Sequence, residues 1–352
     1  MNTNPEWKLK YKLLTEYIES NPEVCITASE VSIPGHLRDH FYKLFDDVRN
    51  AFIDPVFYSL PFEMDALRER YTLAEREIAE ALGTKRIDLP VDLSSFLHDP
   101  RKGMQRWLYN RLFEMIQGKI SEDDFERMAT IDLSTTAERM FQMGYETWVF
   151  FSLILLLLPD EAFSVELNDE NQILPAELRE IALGRQHHDS TKRIPEFIIH
   201  SKRLDKYIAL KTPLAREVNA YYVPYEIPKK MMRDNTGDTS SVLDSRVIFL
   251  SILPDLKSIP VFVEMHNGKI NSPDLIVEFL TRQKAVDPDA LIQIRNRREI
   301  MKPALGSSIV IINPDRETEK KKPEGDFGAL EAGLDASKLQ PIVDTLACKA
   351  AV

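Results

Sequence analysis

Apolar residues recur at helical spacing over most of the first 184 residues of the chain. Large apolar side chains return three and four positions apart, which places them on one face of a helix. Asn4-Pro5-Glu6 is typical of a helix start, Gly83 and Gly118 are typical of helix ends, and Thr135 begins a capping-box sequence. The pattern predicts helices over residues 5–18, 36–52, 67–82, 105–117 and 135–158. We therefore expect an all-α N-terminal domain over residues 1–184.

The pattern changes near residue 185 to short runs of β-branched and aromatic residues. Such runs, bounded by polar and turn-forming residues, are typical of strands. They predict strands over residues 194–200, 206–211, 246–253, 259–266 and 307–313. The sequence SKRLD at 201–205 predicts a hairpin loop between the first two strands, and Asp287-Pro288-Asp289 predicts a later helix start. We expect residues 185–315 to form a mixed α/β domain.

The stretch SPDLIVEFL at 272–280 is compatible with two structures. A strand would place Asp274 and Glu278 on one face, as in the acidic strand of a metal-dependent nuclease. A helix would use Ser272 as its N-cap, with proline in the first turn and the apolar residues on one face. The proline and the apolar spacing favour the helix, which we expect to extend to residue 284.

The end of the chain is rich in charge, proline and glycine from Pro314 onward. This composition leaves little apolar surface to bury and predicts a flexible tail over residues 316–352. Within it, Ile342, Val343 and Leu346 have the spacing of a short helix that docks on the rest of the protein. A frayed terminus is the alternative. The expected fold class is mixed, an all-α domain followed by a mixed α/β domain and this tail.

Composition restricts the class of protein further. The chain is 43% hydrophobic and 29% charged, which is typical of a soluble globular protein. Its most apolar run, Trp148–Leu158, is about half of the roughly 20 residues that a membrane-spanning helix needs, so we expect a buried helix and no membrane partner. The N-terminus has no signal-peptide pattern. Only two cysteines are present, Cys25 and Cys348, which argues against a disulfide framework and suits the cytoplasm.

Charge is distributed unevenly along the chain. The formal net charge is −11, yet residues 185–233 contain eleven basic and five acidic residues, interleaved with tyrosines. Nucleic-acid surfaces combine cations for phosphates with aromatic rings for bases. The candidate binding residues are Lys202, Arg203, Lys206, Lys211 and Tyr207. The alternative is a solvated hairpin whose lysines protect a sheet edge. An acidic helical domain that meets the basic segment of a second copy would also give a homo-oligomer.

A second hypothesis is enzymatic. Pro254-Asp255 precedes the run Val263-Glu264-Met265-His266, and a strand there would place Glu264 and His266 on one face. This arrangement resembles the PD-(D/E)xK nucleases, whose acids bind Mg²⁺ and so activate water. The resemblance implies catalytic roles for Asp255, Glu264 and His266. The family's lysine is absent, however, and His266 stands in its place.

Another partial match to the nuclease pattern lies earlier in the chain. Glu196 and Lys211 would supply the first acid and the lysine, but Ala209 stands where the second acid belongs. His187-His188-Asp189 and His200 could suggest a metal site, although adjacent histidines do not converge on one ion from a regular element, so a solvated loop is favoured. No nucleophile elbow, P-loop or dinucleotide-binding glycine pattern is present.

The sequence therefore predicts a cytoplasmic binding or regulatory protein for an anionic partner, such as a nucleic acid, a nucleotide or an acidic protein. The alternative is a metal-dependent nuclease, which alone would require Mg²⁺. The sequence indicates no dedicated metal site, leaves any other cofactor unknown, and leaves open whether the chain is an enzyme.

Overall fold

The computed structural model describes residues 5–28, 30–59, 63–168, 170, 172–183, 192–211, 247–264, 269–285, 287–312 and 329–350. The chain divides into two compact units. The first contains Met1–Arg68 and Val91–Gly144, and the second contains Glu69–Pro90 and Tyr145–Val352.

Six helices occupy the described N-terminal region, where the apolar spacing predicts five, and the additional one is the short helix over residues 91–98. They are α1 (Pro5–Ser20), α2 (Gly35–Ser59), α3 (Glu63–Leu82), α4 (Val91–His98), α5 (Pro100–Ile116) and α6 (Glu122–Leu156). Two short antiparallel strands, β1 (Cys25–Ile26) and β2 (Val31–Ser32), lie between the first two helices.

Helix α6 begins well before the capping box that the sequence suggested at Thr135. Its start is capped instead by Ser121, whose hydroxyl accepts a hydrogen bond from the amide of Asp124 at 3.1 Å. The hydroxyls of Thr130 and Ser134 each donate to a carbonyl one turn earlier. Serine and threonine can thus sit inside a helix by bonding to its backbone, so a capping-box sequence there does not force a start.

Aromatic side chains form much of the core of the first unit. The Trp7 ring lies 5.6 Å from that of Phe52 and 5.3 Å from that of Phe125. Helices α4 and α5 approach closely at Gly103, where a Cβ would lie 3.1 Å from the Cα of Phe96. The absence of a side chain at this position allows the close contact.

The second unit is built on an eight-stranded sheet. Its strands are β4 (Pro159–Leu167), β5 (Ile173–Glu177), β8 (Phe197–Ser201), β9 (Lys206–Lys211), β10 (Val247–Leu253), β13 (Leu275–Thr281), β14 (Ser307–Ile312) and β15 (Ala329–Leu330). The order across the sheet is β15-β14-β13-β10-β9-β8-β4-β5. Strands β13, β14 and β15 are parallel, and the remaining neighbours are antiparallel.

Shorter elements complete the described chain. Strand β3 (Ile87–Asp88) pairs with β6 (Ile181–Ala182), and β7 (Lys192–Arg193), β11 (Val263–Glu264) and β12 (Lys269–Ile270) form a small sheet. Helices α7 (Arg282–Ala285) and α8 (Pro288–Met301) connect β13 to β14. A short 3-10 helix, Ala336–Leu339, leads into α9 (Gln340–Ala350).

The fold class predicted from the sequence is confirmed, since a helical N-terminal region precedes a multi-stranded sheet. The strands predicted at 206–211, 246–253 and 307–313 match β9, β10 and β14 within one residue, and the predicted hairpin joins β8 to β9. The short docking helix predicted near the C-terminus is also confirmed, and the alternative of a frayed terminus is not, because Ile342, Val343 and Leu346 of α9 are fully buried.

The predicted helix over residues 272–284 is wrong. Residues 275–281 form β13, which pairs with β10 on one side and β14 on the other. All residues from Leu275 to Leu280 are buried, so the strand is covered on both faces. A strand buried on both faces is apolar at nearly every position, and such a run contains pairs at helical spacing by necessity. Ser272 is therefore not a helix cap.

The expectation of an all-α domain over residues 1–184 is also wrong at residues 159–182, which contain β4, β5 and β6. The predicted buried helix over Trp148–Leu158 is confirmed as far as Leu156, where α6 ends. Leu158 then adopts a left-handed conformation with a φ of 53° and starts the turn into β4. No helix of the described residues is both long and apolar enough to cross a membrane.

Candidate functional site

The β8–β9 hairpin carries the predicted binding residues, and two of them are bound within the protein. The guanidinium of Arg203 donates to Asp344 Oδ1 at 3.0 Å and to Gln340 Oε1 at 2.9 Å, both on α9. The ammonium of Lys211 lies 3.0 Å from Glu196 Oε1, and the two side chains are only 11% and 5% exposed. Their positive charge is therefore largely neutralised inside the chain.

Other polar side chains of the hairpin lie beside acidic residues. His200 Nδ1 lies 2.7 Å from Asp160 Oδ1, and the Tyr207 hydroxyl donates to Glu161 Oε2 at 3.4 Å. Desolvation and the nearby Glu161 raise the pKa of the Tyr207 phenol above its ordinary value. Only Lys202 of the predicted cations is exposed without an ion pair among the described residues, while Lys206 is half-buried. This geometry favours the solvated hairpin over the binding surface.

Much of the basic segment lies outside the described residues. Residues 184–191 and 212–233 belong to ranges that the structure does not describe. These ranges include His187, His188 and three of the tyrosines. Their part in anion binding stays a prediction.

The candidate nuclease residues are described only in part. The Asp255 carboxylate accepts hydrogen bonds from the Lys257 amide at 2.9 Å and from the Ser258 hydroxyl at 3.0 Å. These bonds lower the pKa of Asp255 and stabilise a turn after β10. His266 and the side chain of Glu264 lie outside the description, and no group of three metal-ligating side chains occurs in the described part of the chain. The nuclease site stays a prediction.

Asp274, which directly precedes β13, and Glu278 within β13 raise the question of a metal again, since the strand alternative is correct there. Each acid binds a different cation: Asp274 contacts Lys349 of α9, and Glu278 contacts Arg297 of α8. Asp274 also accepts a hydrogen bond from the Ile252 amide at 2.7 Å. Two carboxylates that are each neutralised by a separate cation do not form a shared metal site.

The Glu278–Arg297 pair is deeply buried. Glu278 is 2% exposed and Arg297 is 3% exposed. Burial raises the pKa of Glu278 to about 7, although the Arg297 charge opposes the rise, and burial lowers the pKa of Arg297. The second carboxylate oxygen of Glu278, Oε1, has no hydrogen-bond partner among the described residues. The pair links α8 to the strand beneath it.

A basic cavity lies at the C-terminal end of α8. Its volume is about 530 Å³. The helix contributes Arg295, Arg298 and Glu299, and the following residues contribute Lys302 and the turn Pro303–Gly306. The lining thus contains three cations and one carboxylate, and its net positive charge favours an anion.

Backbone hydrogen bonds fix the position of the turn beside the cavity. Lys302 adopts a left-handed conformation with a φ of 44° and ends the helix. The amide of Leu305 donates to the Asp274 carbonyl at 2.7 Å, and that of Ala304 donates to the Pro273 carbonyl at 3.3 Å. Gly306, with a φ of 83°, donates its amide to the Pro303 carbonyl at 3.1 Å. The turn is therefore joined to the start of β13 before any ligand binds.

Sequence reasoning missed this cavity. Arg295, Arg298 and Lys302 have the spacing of one helical face, which is the signal that could have identified them. On a helix such a row is usually a solvated face. What makes it a cavity is the turn at 303–306, which returns beside the helix and is held there by β13.

Comparison with known proteins found no matching protein-family model, no matching curated protein and no matching solved structure.

Proposed function

We propose that the protein is a binding protein for an anionic partner and that the partner's negative charge enters the cavity at the end of α8. The observation that carries this proposal is the concentration of Arg295, Arg298 and Lys302 around one cavity. Arginine presents several donors in a planar fork that matches carboxylate and phosphate groups. An anion is the complementary ligand for such a site.

The cavity supports this function better than the β8–β9 hairpin does. On the hairpin, Arg203 and Lys211 are held by Asp344 and Glu196. In the cavity, Glu299 is the single carboxylate among the lining residues. The lining of the cavity has three cations and one carboxylate, and this net positive charge favours an anion.

The test compares two sets of substitutions in the full chain. One variant replaces Arg295, Arg298 and Lys302 with glutamine, and the matched control replaces Lys202 and Lys206 with glutamine. Fluorescence anisotropy at several salt concentrations would measure binding of a labelled single-stranded oligonucleotide and its displacement by inorganic phosphate. We expect binding that the cavity variant loses and the hairpin variant retains.

Other outcomes decide between the hypotheses. Binding that is lost only in the hairpin variant would move the site to the β8–β9 hairpin. No binding of any anion at low salt would contradict the proposed function. Mg²⁺-dependent shortening of the oligonucleotide, abolished by Glu264→Gln, would support the nuclease hypothesis instead.

A further inference from the structure

The dimensions of the basic cavity suit one small molecule. Its volume of about 530 Å³ is within the range of roughly 300–1,000 Å³ found for small-ligand sites, and the cavity is wide open to solvent, so it would cover a ligand on one side only. Its cations come from residues 295–302, a helical length of about 10 Å at roughly 1.5 Å per residue. A long polyanion could place only a short part of its length in such a site.

The two sides of the cavity differ in chemistry. Arg295, Arg298 and Lys302 supply positive charge from the helix side, and the turn supplies Pro303 and Leu305, which are half-buried and apolar. A simple inorganic anion would use only the charged side. A ligand with an anionic group and an organic body would also bury apolar surface against the turn.

The anion must be bound by side chains. The amides of Ala304, Leu305 and Gly306 already donate to backbone carbonyls, so the turn offers none of the free N–H groups that form an anion-binding nest. Two neighbouring features could add to the site. A Cβ at Gly306 would lie 3.3 Å from Arg298 Nη2, so glycine leaves room for this guanidinium. The buried hydroxyl of Ser307 has no hydrogen-bond partner in the described part of the chain.

We propose that this cavity binds a small organic monophosphate, with the phosphate on Arg295 and Arg298 and the organic body against Pro303 and Leu305. The inference rests on the proposed function and narrows it to a ligand class. Glu299 supplies a carboxylate that accepts hydrogen bonds from ligand hydroxyls. The same carboxylate repels further negative charge, so a monophosphate is favoured over a diphosphate with the same body.

Isothermal titration calorimetry on the full chain would test the ligand class. The probes are inorganic phosphate, adenosine, and three monophosphates with different bodies: adenosine 5′-monophosphate, glucose 6-phosphate and phenyl phosphate. We expect at least one of the three to bind with 1:1 stoichiometry and at least tenfold more tightly than inorganic phosphate. Adenosine without the phosphate should not bind measurably.

Substitutions of cavity residues test whether the monophosphate binds in the cavity. Arg298→Gln should weaken the best monophosphate at least tenfold, and the exposed Arg295→Gln provides a second variant if Arg298→Gln disturbs the helix. Lys202→Gln is the matched control and should leave the affinity unchanged. Glu299→Gln should increase the affinity for the diphosphate of the same body relative to its monophosphate.

The results separate this inference from the proposed function. If inorganic phosphate or an oligonucleotide binds through the cavity and no monophosphate exceeds inorganic phosphate tenfold, the ligand class is wrong and the function stands. If no anion binds at all, both are wrong. Monophosphate binding that survives in both arginine variants would overturn the assignment to this cavity.

Discussion

The buried Glu278 carboxyl makes the stability of the protein depend on pH in a specific direction. Glu278 lies on β13 against Arg297 and is 2% exposed, and burial raises its pKa from 4.5 to about 7. An acid whose pKa is raised by folding favours the folded state while it is protonated. Its contribution is therefore fully present below pH 4.5 and is lost as the pH rises through 7.

The magnitude follows from the same two pKa values. A tenfold change in an ionisation equilibrium corresponds to about 1.4 kcal/mol. The rise of the Glu278 pKa from 4.5 to about 7 thus corresponds to about 3 kcal/mol of unfolding free energy lost between those pH values. Because the group is almost fully buried, solvent does not screen this effect.

Urea unfolding of the wild type and of Glu278→Gln at several pH values between 4 and 8 would measure the effect. The difference between their free energies of unfolding isolates the contribution of the Glu278 carboxyl, because all other titratable groups are present in both proteins. We expect the wild type to lose about 3 kcal/mol relative to the variant as the pH rises across this range. The exposed Glu299→Gln is the control, and its curve should run parallel to that of the wild type. Parallel curves for Glu278→Gln would refute the reasoning.

Two further predictions concern packing. Leu346→Ala removes a fully buried side chain from α9 and should lower the free energy of unfolding by about 2–5 kcal/mol in urea titrations, whereas Cys348→Ala, at an exposed position of the same helix, should change it little. An equal, small effect of both would show that α9 is not docked. Gly103→Val should cost about 1–3 kcal/mol and lower the melting temperature, because its Cβ would lie 3.1 Å from the Phe96 backbone. Gly35→Ala, whose Cβ would have open space, is the comparison, and an unchanged melting temperature for Gly103→Val would contradict the close contact of α4 and α5.

The fold class could be predicted from the sequence because amphipathic helices and short β-branched runs are local patterns. The structure of β13 could not be predicted in this way, since the contacts that make it a strand come from parts of the chain distant in sequence. Ile276 is buried because it packs with Val247 and Phe249 of β10 and with Met301 of α8, residues that are distant from it in the chain. Without that knowledge, Ser272 and Pro273 favour a helix start, and tertiary structure overrides this preference.

The same limit applies to the candidate site. The count of basic residues in 185–233 was correct, but a count does not show which of them are neutralised. The partner of Arg203 is Asp344, 141 positions further along the chain, and the partner of Lys211 is Glu196 on the neighbouring strand. Conversely, the row of cations on α8 was visible in the sequence, but the turn that makes it a cavity depends on hydrogen bonds to residues 273 and 274.

The C-terminal segment, residues 329–350, binds to the sheet of its own chain in the way that a separate ligand would. Residues 329–350 add β15 beside β14, bury one face of α9 and contribute Lys349 to the ion pair with Asp274. A segment tethered to its own binding surface meets it at an effective concentration on the order of millimolar. A chain cut between residues 312 and 329 would keep every one of these contacts but would form them bimolecularly. Occupancy of the edge of the sheet would then vary with protein concentration, as it does for any complex of two molecules.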